Sequence, residues 1–153
     1  MQSAGRQFAA HDAEYKTSDA AVELALNIER AYPPEARIRE WRRTLRLDRQ
    51  VPHIEILDRY KLDQPARKIE LTLMTPCRVT PTATGEITLS GGLMKSGTVR
   101  VLHNAVLQTE VDEIPITDAN LLRVWGARLY RVRLVAAEPP LEGAYQVRVI
   151  QNS

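Results

Sequence analysis

The stretch WRRTLRLDRQVPHIEILDRYKL, residues 41–62, contains the clearest secondary-structure pattern in the chain. Apolar and polar side chains alternate on both sides of a short polar segment, and the apolar positions are Trp41, Leu45, Leu47, Ile54, Ile56, Tyr60 and Leu62. A period of two is typical of strands that bury one face. The stretch therefore predicts an antiparallel hairpin whose turn runs from Asp48 to His53.

The same pattern predicts the register of this hairpin. If Leu47 lies opposite Ile54, the pairs on that face continue as Leu45 with Ile56, Arg43 with Asp58, and Trp41 with Tyr60. Arg43 and Asp58 are the two charged residues that interrupt the apolar faces, and this register brings them together. A lone buried charge is unfavourable, so we predict an ion pair between them that is at least partly buried. A structural role is favoured over a catalytic one, although charge pairs occur in both settings.

Alternation of this kind recurs along the chain. Strands are predicted at residues 22–28, 36–47, 53–62, 68–74, 86–90, 98–106, 129–135 and 144–150. Residues 18–32 also have helical propensity, with Ser18 as a cap, but the strict alternation of their apolar residues favours a strand. About eight to ten strands without intervening helices predict an all-β fold, an antiparallel sandwich. The segment ITDANLLRVWG, residues 116–126, allows at most one short helical turn, capped by Asp118 and ended by Gly126.

Length and composition indicate a single domain over residues 1–153. The chain is 44% apolar and has a formal net charge of +2, whereas disordered chains combine low hydrophobicity with high net charge. Its apolar runs are far shorter than the roughly 18 residues of a membrane span, and its first residues lack the pattern of a signal peptide. The sequence therefore predicts a soluble protein without membrane contact.

Few residues carry a chemical motif. The single cysteine, Cys77, excludes an internal disulfide and a cysteine-based zinc site, and the three histidines stand apart, so no metal or other cofactor is expected. His11, Asp12 and Tyr15 form the one local group of acid and base side chains. Strand alternation would place His11 and Tyr15 on one face and Asp12 on the other. Trp125 is more typical of a core position than of an exposed sugar platform.

Basic charge is concentrated in one segment. Of the 21 basic residues 17 are Arg, and seven of these lie between Arg30 and Arg49 with only three acids. Guanidinium groups match the geometry of carboxylates and sulfates, so this segment could attract an anionic glycan or a nucleic acid. A solvated strand face rich in Arg is the simpler explanation, because charge patterning alone specifies a partner weakly.

Four segments, in their order along the chain, resemble the C-terminal β-sandwich domain of the heparinase II/III-like polysaccharide lyases, a supersandwich-like fold. They are GRQFAAHDAEY (residues 5–15), DAAVELALNIERAYPPEARIREWRRTLRLDR (19–49), HIEILDRYKL (53–62) and VWGARLYRVRL (124–134). The most specific part is AYP followed by WRRTLRLDR and then by an apolar strand that ends in D-x-Y-x-L. Each piece is a strand of modest information content, but together they extend over nearly the whole chain.

This resemblance implies a domain of a larger enzyme. Family members pair an N-terminal helical toroid with the sandwich and cleave uronic-acid-containing polysaccharides by β-elimination. A base removes the C5 proton of the uronate and an acid protonates the leaving oxygen. The Tyr and His residues of this chemistry lie upstream of the segments that match, so the resemblance assigns this chain no catalytic residue, metal ligand or cofactor. The chain is expected to be the C-terminal part of such a lyase and to be inactive alone.

The partners that the resemblance implies are the helical toroid and an anionic polysaccharide, with no nucleic acid and no membrane. The implied location is periplasmic or secreted. In the lyase, this domain would form a rigid wall beside the toroid. The candidate glycan contacts are Arg37, Arg39 and Arg42, followed by Trp125.

Two other functions remain open from the sequence. One is a free-standing carbohydrate-binding module for anionic glycans, and the other is a small enzyme that uses His11 and Tyr15. A free-standing module should have charged or covered edge strands and no large apolar patch, whereas a domain taken from a lyase should expose an unpaired edge or an apolar docking face.

Overall fold

The computed structural model describes residues 5–92 and 97–152 of the chain. The described strands are β1 (His11–Thr17), β2 (Ala21–Asn27), β3 (Ile38–Asp48), β4 (His53–Leu62), β5 (Lys68–Thr75), β6 (Arg78–Ala83), β7 (Glu86–Ser90), β8 (Thr98–His103), β9 (Gln108–Pro115), β10 (Arg128–Ala137) and β11 (Glu142–Asn152). The described helical elements are two 3-10 turns, Glu29–Ala31 and Pro34–Ala36, and the α-helix α1 (Ala119–Trp125).

The strands form two antiparallel sheets, one of eight strands and one of three. The predicted all-β antiparallel sandwich is therefore confirmed. The described strands number eleven rather than eight to ten, and the three outside the predicted ranges, β1, β6 and β9, all lie at sheet edges. Edge strands bury few side chains and so alternate weakly in sequence, and Pro81 in β6 is a residue that sheets tolerate at an edge.

The hairpin of β3 and β4 has the register that the sequence predicts. Leu47 lies opposite Ile54, and the pairs that follow are Leu45 with Ile56, Arg43 with Asp58, and Trp41 with Tyr60. The turn is closed by the Asp48 carboxylate, which accepts the backbone N–H groups of Gln50 and Val51, each at 3.0 Å. The bond from Val51 is the main reason that the pKa of Asp48 lies below its ordinary value.

The chain divides into two compact units, and the first comprises Met1–Arg67 and Glu138–Arg148. Its core contains a row of four aromatic rings, Tyr32, Trp41, Tyr60 and Tyr145, whose successive centroids lie 5.9, 5.7 and 5.3 Å apart. The hydroxyls of Tyr60 and Tyr145 are hydrogen-bonded at 3.1 Å. Gly143 lies against this row so closely that an added Cβ would be 2.8 Å from the Tyr60 hydroxyl oxygen. The spacing of the rings matches favourable aromatic packing.

The second unit comprises Lys68–Ala137 and Val149–Ser153. Strand β10 is the centre of its three-stranded sheet, with β5 on one side and β9 on the other. Val132 and Leu134 of β10 are buried, and so is Leu71 of β5, which lies opposite Leu134. Ile87 of β7 is also buried. The opposite face of β10 bears Arg131 and Arg133, both paired with Asp112 of β9. The alternating strand pattern of the sequence thus produces one apolar and one charged face.

Candidate functional site

The ion pair between Arg43 and Asp58 lies beside the aromatic row of the first unit. Arg43 Nε donates to Asp58 Oδ1, and Nη2 donates to Oδ2, both at 2.7 Å. Asp58 is completely buried, whereas the Arg43 side chain keeps some exposure. The hydrogen bond to Asp58 raises the pKa of the Arg43 guanidinium, and burial raises the pKa of nearby Tyr32. Both oxygens of this buried carboxylate accept hydrogen bonds from Arg43, so the pair joins β3 to β4.

The three arginines expected to contact a glycan occupy different environments. Arg37 follows the second 3-10 turn with a positive φ of 51° and is exposed. Arg39 donates to Asp63 at 2.7 Å, and Arg42 pairs with Glu14 at 3.0 Å. Arg39 and Arg42 line a shared cleft of about 360 Å³, whereas Arg37 is outside its lining. The arginines of this cleft are therefore partly neutralised by the protein's own carboxylates.

The same cleft contains Arg59, which the sequence analysis did not identify. Arg59 lies directly opposite Arg42 in the register of β3 and β4 and is exposed. Like charges in this arrangement repel each other. No carboxylate within the described part of the chain forms a salt bridge with Arg59. Extending the predicted hairpin register by one position from Arg43 and Asp58 would have revealed this pair.

His11 is held by two carboxylates. Its imidazole N–H groups donate to Glu29 and, at 2.8 Å, to Asp12. The hydrogen bond to Glu29 is the largest cause of the raised pKa of His11. These contacts tie the first residue of β1 to the first 3-10 turn, so His11 acts as a cationic link between two acids.

The expected placement of His11 and Tyr15 on one face of β1 is wrong. The strand has an irregularity between His11 and Glu14, and Asp12 has a positive φ of 49°. Tyr15 lies opposite Leu24, whereas His11 lies opposite Asn27. Odd and even positions of β2 face opposite sides of the sheet, so the bulge places His11 and Tyr15 on different faces. An enzyme that uses both residues in one site does not fit this arrangement.

Trp125 is 41% exposed, so the core position favoured by the sequence is wrong. It is the last residue of α1, a helix with no buried residue. The predicted ends of this helical segment are confirmed. The Asp118 carboxylate accepts N–H groups from Asn120 and Leu121, and Gly126, with a φ of 81°, ends the helix. The helix lies in the connection between β9 and β10, and its apolar residues Leu121, Leu122, Val124 and Trp125 are all exposed.

Trp125 lines a cleft of about 600 Å³ in the second unit. Tyr130, Arg78, Arg123 and Arg128 also line it, and the described lining includes no Asp or Glu. Arg128 donates to Glu113 at 2.7 Å. The cleft joins β6, the end of β7 and the α1 segment, which are far apart in sequence. No local pattern could therefore have predicted this group of residues.

In the first unit, strands β2, β3 and β4 share a face that exposes apolar side chains. Leu47 and Ile54, opposite each other, are 44% and 45% exposed. Tyr15 of β1 lies on the same face and is also exposed. We refer to Tyr15, Leu47 and Ile54, with the half-buried residues between them, as the apolar face. Such exposed apolar surface on a folded domain often marks an interaction site.

Residues 5–92 and 97–152 contain no group of three or more His, Cys, Asp or Glu side chains arranged to hold a metal ion. The helices in these ranges are too short to cross a lipid bilayer.

Neither a protein-family model nor a curated protein sequence matches this chain. Among solved structures, heparan sulfate lyase HepC from Pedobacter heparinus matches 94% of this chain with a TM-score of 0.67 and 8% sequence identity. A structure of heparinase III matches the same share of the chain with a TM-score of 0.56 and 11% identity. The matched regions are 22% and 21% of those two chains. The chain therefore has the fold of part of these larger lyases and spans about a fifth of their length.

Proposed function

We propose that this chain is the C-terminal sandwich domain of a polysaccharide lyase that cleaves uronic-acid-containing polysaccharides by β-elimination. The observation that carries the proposal is the fold similarity to two enzymes named as heparan sulfate lyase and heparinase, over 94% of this chain. The family that the sequence resembles adds a helical toroid to this domain. In that arrangement the sandwich supports the toroid and contributes binding surface.

The chain alone is proposed to be inactive. β-Elimination needs a base for the C5 proton, an acid for the leaving oxygen and a group that neutralises the uronate carboxylate. Within the described residues, neither the cleft of Arg42 nor the cleft of Trp125 is lined by a histidine. His11 is occupied by Glu29 and Asp12, and Tyr60 and Tyr145 are buried. These placements support a domain that binds and positions rather than one that transfers protons.

The apolar face is proposed as the surface that contacts the toroid. Leu47 and Ile54 expose apolar surface to water. A partner that packs on them would bury this surface, and such burial is the usual driving force for association. The 22% coverage of the heparan sulfate lyase means that most of that chain lies outside the matched domain. A helical domain with an apolar contact surface is therefore the occupant we propose.

A double substitution of Leu47→Lys and Ile54→Lys tests this docking surface. Because both side chains are half exposed, we expect the loss in unfolding free energy to stay below about 1 kcal/mol. We also expect the isolated chain to bind a hydrophobic dye and to self-associate in sedimentation velocity, and the double variant to lose both properties. Val106→Lys, at an exposed apolar residue of the second unit, is the matched control. A large loss of stability would instead make these residues part of the core.

A free-standing carbohydrate-binding module is the second candidate function. It is favoured by the edge strands, because β1 carries charges and a bulge and β6 carries Pro81. These are devices that protect an exposed edge from pairing with another chain. Arg37, Arg39 and Arg42 would then bind the anionic glycan without a toroid. The two candidates differ on the apolar face, which a module that stands alone has no reason to expose.

The arginines of the first unit are tested by retention on immobilised heparan sulfate. We expect the triple substitution of Arg37, Arg39 and Arg42 by Gln to elute at lower salt. Each contact between an arginine and a carboxylate or sulfate strengthens binding electrostatically, and salt screens that attraction. The pairing of Arg39 and Arg42 with Asp63 and Glu14 limits the expected shift. Unchanged retention would remove these three residues from the binding surface.

A further inference from the structure

We propose that the cleft beside Trp125 binds one acidic saccharide unit, with the indole against the sugar ring and Arg78 and Arg123 paired with its carboxylate or sulfate. The class of ligand rests on the proposed function, whereas the cleft itself follows from the geometry. This site lies in the second unit, apart from the sequence segment rich in Arg. Trp125 is among the glycan contacts that the sequence suggests, whereas Arg78 and Arg123 are not.

The segment that carries Trp125 is fixed by hydrogen bonds at both ends. α1 begins at a side-chain cap from Asp118 and ends at Gly126, whose N–H donates to Leu122 O at 3.0 Å. The two ends of the segment are joined where Ile116 N–H donates to Ala127 O at 2.9 Å. Trp125 is therefore attached to a closed, hydrogen-bonded segment rather than to a free loop. A fixed aromatic surface binds a ring at lower entropic cost than a mobile one.

Trp125 exposes a large apolar ring in the lining of the cleft. Trp is highly buried on average in folded proteins, and leaving 41% of it in water forgoes favourable burial. The indole has a flat apolar face and a polar N–H at its edge. A sugar ring presents a matching face of C–H groups and a rim of hydroxyls. This chemistry suits a saccharide better than a wholly apolar ligand.

The lining of the cleft is positively charged. Arg78 and Arg123 are exposed, and no carboxylate in the described ranges forms a salt bridge with either of them. By contrast, Arg128 at the same cleft is paired with Glu113. Two guanidinium groups without a carboxylate partner among the described residues attract an oxyanion, and their forked donors fit carboxylate and sulfate.

The single exposed ring also favours a saccharide over a nucleic acid strand. Proteins that bind single strands stack successive bases on several aromatic side chains along a basic groove. Here Trp125 is accompanied by Tyr130, which is only partly exposed. One exposed ring and two cationic groups supply the contacts that one acidic residue of a glycan would need, a flat apolar surface and donors for its anionic group.

The test is isothermal titration calorimetry of the full chain with a heparan sulfate octasaccharide. We expect Trp125→Ala and the double variant Arg78→Gln with Arg123→Gln each to weaken binding by about tenfold or more. Arg131→Gln is the matched control, because it removes the same charge from an arginine that Asp112 already pairs. Circular dichroism and urea unfolding establish that each variant folds. Fluorescence reports binding directly, since Trp41 is buried and Trp125 is exposed.

The possible results separate this inference from the proposed function. Loss of binding in the cleft variants, with little change in Arg131→Gln, supports the site. If binding depends only on Arg37, Arg39 and Arg42, the cleft proposal is wrong while glycan binding by the domain stands. Equal affinity for an oligodeoxythymidylate of similar charge, or for a neutral maltooligosaccharide, contradicts the proposed ligand class. Absence of binding by the unmodified chain contradicts the site as well.

Discussion

Asp58 and Arg43 show how two residues can specify a sheet. The pair interrupts otherwise apolar strand faces, and one register alone joins the two charges while keeping the apolar positions opposite one another. A slip by one residue would place Asp58 on the other face. A fully buried carboxylate without its arginine would be strongly unfavourable. The pair therefore contributes to the selection of one register.

Asp58→Asn is expected to lower the free energy of unfolding by about 3 kcal/mol, because it leaves the partly buried Arg43 without its counter-charge. Urea denaturation monitored by the fluorescence of buried Trp41 measures this change. Asp63→Asn, which removes the exposed partner of Arg39, is the matched control and should have a much smaller effect. Similar losses in both variants would show that Asp58 is no more important than a surface charge.

His11 makes the stability of the first unit depend on pH. Its pKa is raised in the folded chain by Glu29 and Asp12, so folding favours the protonated imidazole. The stabilisation is fully present below the unfolded value of about 6.5 and is lost as the pH rises through the raised folded pKa. We expect the stability difference between the unmodified chain and His11→Asn to shrink across that interval in urea unfolding. A difference that grows with pH would contradict this link.

Trp125 and His11 also show where sequence reasoning fails for single residues. Trp125 has the large apolar side chain that is typical of a core residue. It is exposed because it lies at the end of α1, a helix with no buried residue. For His11, alternation would hold in a regular strand, but the bulge at Asp12 changes the side of the sheet on which it lies. Burial and bulges depend on neighbours that are distant in sequence.

The close approach of β11 to β4 depends on a glycine. An added Cβ at Gly143 would lie 2.8 Å from the hydroxyl oxygen of Tyr60, which is buried and bonded to Tyr145. The aromatic row therefore passes β11 at a distance that no other residue type allows without movement. This is a packing requirement, because Gly143 is absent from the positions with positive φ.

Gly143→Ala is expected to lower stability by about 1–3 kcal/mol through overpacking. The penalty should be smaller in a Tyr60→Phe background, where the clashing oxygen is removed. A double-mutant cycle in urea measures this coupling. Equal penalties in both backgrounds would place the strain elsewhere than at the Tyr60 hydroxyl.

Strands that bury a face are predictable from this sequence, and edge strands are less so. The alternation in β3, β4 and β10 follows from the burial of one face. β9 has acids at positions where an interior strand would have apolar side chains, because these acids pair with Arg128, Arg131 and Arg133 of β10. Cross-strand charge pairs stabilise a sheet without leaving a hydrophobic pattern in sequence.

For the molecule as a whole, the class of fold follows from periodicity, whereas the candidate binding sites do not. Strand patterns indicate an antiparallel sandwich, which the structure has. The Trp125 cleft combines β6, β7 and the α1 segment, and Arg78 is far in sequence from Arg123 and Arg128. The concentration of Arg in the sequence points instead to Arg37, Arg39 and Arg42, and carboxylates of the same chain partly neutralise Arg39 and Arg42.

The two candidate functions make opposite demands on the domain surface. Charged and bulged edges suit a domain that meets solvent on its own, and the apolar face of Leu47 and Ile54 suits one that is covered by a partner. A sandwich inside a larger lyase can need both features, because its edges remain in water while one face is docked. Both features thus fit the proposed role as a supporting domain.

The central claim is that this chain binds an acidic polysaccharide but leaves the elimination to another domain. The direct measurement incubates the purified chain with heparan sulfate and follows the ultraviolet absorbance of the unsaturated uronate that β-elimination creates. The same preparation is applied to immobilised heparan sulfate to establish binding. We expect retention on the polysaccharide with no rise in absorbance above the no-protein control. A rise that persists after rigorous purification would contradict the account, because catalysis would then lie within these 153 residues.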